Sequence, residues 1–152
     1  MKHWFVHSLV CVVFAIVGCR VEAPRPIEID PIHDACVQCR MIASDVRLAA
    51  QIVAPGAEPL IFDDIGCLRD YLAATILEEA AIVYVADHRT ALWVRAENAL
   101  FTRTSAGSTP MGSGIVAHAD LASKEADSAA SGGESLDVRS ILVRTSAEKE
   151  AR

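Results

Sequence analysis

Twice along this chain the same order of signals recurs, and that order constrains the fold more than any single motif. In the first passage Leu48–Val53 reads as a strand, Pro55–Pro59 as a turn, and Leu60–Phe62 as a second strand. Asp63 and Asp64 then precede Ile65, Leu68, Leu72 and Ile76 at helical spacing, as an N-cap and first-turn acids would. Residues 81–86 follow as a β-rich apolar run fit for a buried strand. In the second passage Trp93-Val94 starts the unit, 99–102 is a strand, and 105–114 is a Gly/Ser/Pro-rich connection. Ile115–His118 is the next strand, Asp120 an N-cap, 121–130 a helix stopped by Gly132-Gly133, and Val138–Val143 the closing strand. The expectation is an α+β fold of two ββαβ units packed as one small domain, with halves at about 36–87 and 91–145.

What lies outside those halves has a different character. Lys2, His3 and His7 precede the ten-residue apolar run Ser8–Val17, which ends at Gly18-Cys19. A membrane-crossing helix needs about 20 apolar residues, so 1–18 reads as a secretory signal rather than a span. Ile16-Val17-Gly18-Cys19 resembles the bacterial lipobox, which implies acylation of Cys19 and a lipid anchor on the periplasmic side of the inner or outer membrane. Residues 19–35, with Pro24, Pro26 and Pro31, read as a tether, 36–145 as the domain, and the charged 146–152 as a disordered tail. Loss of residues 1–18 removes one lysine and no acid, moving the formal charge from −6 to −7. An acidic chain without clustered Lys and Arg is a poor match for nucleic acid.

Cys11 leaves with the signal and Cys19 carries the lipid, so three thiols remain: Cys36, Cys39 and Cys67. An odd number outside the cytoplasm argues against a disulfide scaffold. The strongest local signal is Cys36-Val37-Gln38-Cys39-Arg40-Met41, just ahead of the first strand. On an extended segment residues two apart project to one side, about 6.6 Å apart, so Cys39 and Met41 converge while Arg40 points away. A thiolate with a thioether is a soft donor set that suits Cu(I), and Arg40 beside Cys39 favours the thiolate. Met111, isolated in the Gly-rich loop Thr109–Gly114, is a weaker third sulfur. His33, His88 and His118 are candidate further donors. Three other readings stay open: Met41 as core filler, a zinc site of Cys36, Cys39, Cys67 and His33, and a reversible Cys36–Cys39 disulfide in a thiol-disulfide oxidoreductase. Cys67, in the first turn of the predicted helix, reads as a small buried thiol.

Four stretches taken together, the lipobox at Cys19, Cys36-x-x-Cys39-x-Met41, Phe62–Leu68 and Pro110–Ala117, resemble the nitrous oxide reductase accessory lipoproteins called NosL. That resemblance implies a fold of two ββαβ units, shared with organomercurial lyase. It implies a non-enzymatic role: delivery of Cu(I) for the copper-sulfide centre of nitrous oxide reductase, docked on an ABC-type membrane assembly complex. Carried over residue by residue, the ligands are Cys39 and Met41, then Met111, with Cys36 the least supported. Where many relatives have glycine before the methionine, this chain has Arg40.

Overall fold

A computed structural model of the 152-residue chain describes residues 23–104 and 109–143, and the signal, lipidation and tail readings lie outside them. Among these residues no helix is long and apolar enough to cross a membrane. The first unit comprises β1 (Ala50–Val53), β2 (Leu60–Phe62), α1 (Ile65–Ala74) and β3 (Ile82–Ala86). β4 (Trp93–Arg95) follows it, and the second unit is β5 (Leu100–Arg103), β6 (Ile115–His118), α2 (Leu121–Glu125) and β7 (Glu134–Leu136), ending in α3 (Val138–Ile141). Both sheets are antiparallel and have the same plan: β1 lies between β2 and β3, and β5 lies between β6 and β7. The two-unit α+β reading is the architecture observed.

The core forms because the two units bury their apolar faces on one another. Ile65, Leu68 and Leu72 form the buried face of α1, the i, i+3, i+7 stripe of an amphipathic helix. They join Ile52, Phe62 and Val85 of one sheet and Phe101 and Ile115 of the other in a single cluster. α1 touches β1 and β2 of its own sheet and β6 and α3 of the second unit. A parallel bridge between Asp87 and Ala117, with the His88 N–H donating to the Ala117 carbonyl at 2.8 Å, ties the end of β3 to β6.

Five sequence expectations are corrected. Residues 46–48 form a 3-10 turn capped by Asp45, so β1 begins only at Ala50. α1 stops at Ala74 because Thr75 is extended, which leaves Ile76 61% exposed instead of on the buried face. Trp93-Val94 does not open the second unit: β4 pairs with β3 and widens the first sheet. The expected helix 121–130 breaks after Glu125, since Asp127 accepts from the Ala129 N–H and caps a separate 3-10 turn, Ser128–Ala130. Val138–Ile141 is a helical turn capped by Asp137, and the closing strand is Glu134–Leu136 just before it. There, an Asp cap outweighs β-branched side chains.

The tether expectation also fails from Pro24 onward. Ile29 is buried with Ala43, Ala49 and Ile61. The buried amide of Gln51 donates to the Ile27 carbonyl at 3.0 Å and accepts from the Ile27 N–H at 2.9 Å. The Tyr84 hydroxyl donates to the Pro24 carbonyl at 2.8 Å. These contacts supply the burial and backbone bonds that a free linker lacks.

Candidate metal centre

Cys36–Met41 is a tight turn, not an extended segment, which removes the geometric reason for Cys39 and Met41 to converge. An antiparallel bridge between Ala35 and Ile42 closes the base. Above it the Cys36 N–H donates to the Met41 carbonyl at 2.8 Å, and the Arg40 N–H to the Cys36 carbonyl at 2.9 Å. Arg40 completes the reversal at φ +68°, a conformation glycine adopts most easily. The turn aims both sulfurs inward: the Cys39 N–H donates to Cys36 Sγ at 3.5 Å, and the Met41 N–H donates to the sulfur of Cys39. The Val37 N–H donates to the Ile61 carbonyl at 2.9 Å and moors the turn to β2.

Opposite this turn stands the start of α1. Asp64 is its N-cap, accepting from the Gly66 N–H at 2.6 Å, and Cys67 follows in the first turn. Asp63 is not part of the cap; it faces the cysteines and accepts the Cys39 thiol at 3.1 Å. Cys36, Cys39, Cys67 and Asp63 each bring one donor atom within 4.8 Å of all the others. All three cysteines are free. Asp63 is 1% exposed, and its Oδ2 has no hydrogen-bond partner among the described residues. Leaving a buried polar oxygen unpaired costs about 1–3 kcal/mol, a cost that a bound cation would remove. The donor set therefore fits a thiophilic metal ion.

Burial raises the pKa of two of these thiols, Cys39 and Cys67. Cys39 is pushed up to about 11 by desolvation first; Asp63 and Cys36 add to the rise, and the Met41 N–H opposes it. Cys67 is pushed up further, by desolvation and then by Cys36. The expectation of a favoured Cys39 thiolate is thus overturned, since burial is the largest influence on this sulfur and the net shift is upward. At neutral pH the metal-free Cys39 and Cys67 thiols are protonated, so an ion taking either sulfur must displace its proton.

The second unit provides the other wall. Asp64 accepts a hydrogen bond from the Thr109 hydroxyl at 2.7 Å and from the Met111 N–H at 2.9 Å, fastening the 109–114 loop to the head of α1. The loop lies so close that a Cβ on Gly66 would stand 2.7 Å from Ser113 Cβ. Met111, Cys39 and Cys67 thereby line one open cleft of about 660 Å³, with Gln38, Arg69 and Arg103 also on its walls. A larger hollow of about 800 Å³ beyond the far end of α1 is lined by Leu72, Glu78, Glu79 and Arg95, and no cysteine or methionine is among its lining residues. Donor chemistry, not size, selects the smaller cleft.

Not every candidate donor is gathered here. Met41 is 44% exposed and is not among the residues lining the cleft. His33 is exposed and bonds to Asp30 at 2.8 Å, so it does not complete a set with the cysteines. His88 and His118 meet each other and Asp127 in a separate cluster. Sequence reasoning missed Asp63, and it gave Cys67 a place only in the alternative zinc set and not beside the copper ligands. The signal that could have found them is the doubled acid: one carboxylate suffices to cap a helix, which leaves its neighbour free for the cysteine three residues past the cap.

Two ββαβ units enclosing a sulfur-lined cleft define a small α+β domain of the NosL fold. The solved structure that carries this comparison is that of the copper chaperone NosL from Shewanella denitrificans. It aligns with a TM-score of 0.59 at 19% identity, over 74% of this chain and 92% of that one. The likeness is one of fold, as the resemblance of the sequence motifs implies. No protein-family model and no curated protein sequence matches the chain.

Proposed function

We propose that this chain is a copper-binding metallochaperone: it holds one Cu(I) in the cysteine cleft and passes it on without catalysing a reaction. The observation that carries the reading is the convergence within 4.8 Å of three unpaired thiols and one buried carboxylate, two of the thiols, Cys39 and Cys67, lining an open cleft. Sulfur donors favour soft ions, and thiolates together with a thioether suit Cu(I). Our assignment gives the metal to Cys39 with Cys36 or Cys67, and to Met111 at the mouth. Met41 contributes its backbone N–H to the Cys39 sulfur, and its thioether is exposed, as contact with a partner would require. An open mouth suits transfer, because an acceptor's sulfur or imidazole can attack the ion before the last donor leaves.

The motif resemblance supports a proposal for the client and the location. We propose delivery toward the copper-sulfide centre of nitrous oxide reductase, through an ABC-type assembly complex, by a protein anchored at Cys19. Two rival readings are weighed by the same geometry. A redox Cys36–Cys39 pair calls for a lowered thiol pKa, whereas Cys39 is raised to about 11. A four-ligand zinc site is favoured by one observation, the presence of Asp63 as a fourth donor. Titration of the reduced protein with Cu(I) against a chromophoric chelator tests the assignment. Cys39→Ser should weaken binding by at least about tenfold, Met111→Leu less, and Met41→Leu least. X-ray absorption showing sulfur around copper supports the chaperone; unchanged affinity in Cys39→Ser, or Zn²⁺ outcompeting Cu(I), rejects it.

A further inference from the structure

His88, His118 and Asp127 form a cluster that the copper reading does not use. His88 follows β3, His118 ends β6, and Asp127 begins the turn after α2. His88 Nδ1 lies 2.6 Å and His118 Nε2 2.9 Å from the same oxygen, Asp127 Oδ2. The rings stand edge to face, 6.3 Å between centroids and 73° between planes. One donor atom from each residue lies within 4.8 Å of the other two.

The scaffold holds all three from several directions. The His88 N–H is bonded to the Ala117 carbonyl, one residue before His118. Buried Asp87 accepts from the Ala119 N–H at 2.7 Å and from both the N–H and hydroxyl of Thr90 at 2.9 Å, fixing the loops that carry the two histidines. The second oxygen of Asp127 accepts from the Ala129 N–H at 2.9 Å. His118 is 0% exposed, and its far nitrogen, Nδ1, has no partner among the described residues. Packing alone gives no reason for an imidazole there; it is set in place for the nitrogen that faces the cluster. The side chain of His88 is 16% exposed, so water reaches the cluster from its side.

We infer that His88, His118 and Asp127 form a second metal site, for a borderline divalent cation such as Zn²⁺, separate from the cysteine cleft. Two imidazoles and a carboxylate without sulfur match such an ion and are a poor set for Cu(I). Three protein donors with access to solvent leave a fourth position for water. With bonds of about 2.0–2.1 Å, tetrahedral donors stand about 3.3 Å apart, so Asp127 must draw back by roughly half an ångström to admit the ion. The two sites lie toward opposite ends of β6. Arg103, which pairs with Ile115, is on the wall of the cysteine cleft, and His118 lies three residues on, about 10 Å along the strand.

Co²⁺ titration of the reduced mature chain separates the sites optically. Thiolate-bound cobalt gives intense sulfur-to-metal charge-transfer bands, whereas nitrogen and oxygen ligands give only weak d–d bands. The expected result is a d–d component without charge transfer that Zn²⁺ displaces. His88→Ala should weaken it by at least about tenfold, and Cys39→Ser should leave it unchanged. Should His88→Ala fail to fold, ring ¹⁵N shifts of His88 and His118 on adding Zn²⁺ to the wild type give the same answer. Spectra made up only of thiolate bands, an unaltered affinity in His88→Ala, or unmoved ring shifts would overturn the inference. None of these outcomes depends on whether the cysteine cleft binds copper.

Discussion

Arg40 occupies a backbone conformation that suits glycine better. A side chain in the left-handed region costs about 1–2 kcal/mol, part of which glycine returns through its freer unfolded chain. Arg40→Gly is therefore expected to stabilise the protein by about 0.5–1 kcal/mol, seen as a higher urea midpoint at constant slope. Gly66 is the reverse case. An added methyl would strike Ser113 Cβ at 2.7 Å and Asp64 Oδ1 at 2.9 Å, so Gly66→Ala is expected to cost about 1–3 kcal/mol. It should also push the Met111 loop outward, weakening metal binding. Cys39 gives a pH signature in the metal-free protein. Its raised pKa means that the fold favours the neutral thiol; that stabilisation is complete below the ordinary thiol value and fades as pH climbs through about 11. Alkylation by iodoacetamide should keep accelerating to that pH instead of levelling near 9; a plateau near 9 would contradict the buried placement.

Asp64 shows how one element start can organise another element. Its carboxylate is kept below the usual range even though burial raises it, because Ser113, Thr109 and the N–H groups of Met111 and Gly66 together outweigh desolvation. The sign follows: stability from Asp64 is full above the ordinary carboxylate pKa and is lost as pH falls through the depressed one. Asp64→Ala is expected to cost about 1–3 kcal/mol by losing the cap and leaving loop donors unpaired. Acid unfolding of Asp64→Asn should be less steep than that of the wild type. At this scale the sequence was legible where a single period decided: 60–62, 82–86 and 115–118 are β-rich runs bounded by turn or cap residues, and Ile65, Leu68 and Leu72 mark one helical face. It misled where distant contacts decided. β4 exists because β3 offers it an edge, and 134–136 became the closing strand, despite its polar residues, because β5 needed a neighbour. The candidate site was half legible, for the same reason. Cys36 and Cys39 announce themselves by spacing, whereas Asp63 and Cys67 join them only when the turn packs on the head of α1, and Met111 only once the second unit has docked.

The whole molecule responds to its ligand by mass action. An ion bound only by the folded state raises stability by about 2.7 kcal/mol at a free concentration 100 times the dissociation constant. Denaturation of the reduced protein with and without buffered Cu(I) should show that increase, and Cys39→Ser should abolish most of it. A larger consequence lies in the clasp between Asp64 of one unit and Thr109 and Met111 of the other. Because the mouth of the cleft is split between the two halves of the repeat, neither fragment owns a finished binding site. Cut between β4 and β5 and co-expressed, the pieces would regain full avidity for metal only by rejoining, which makes copper uptake a direct gauge of their reassembly.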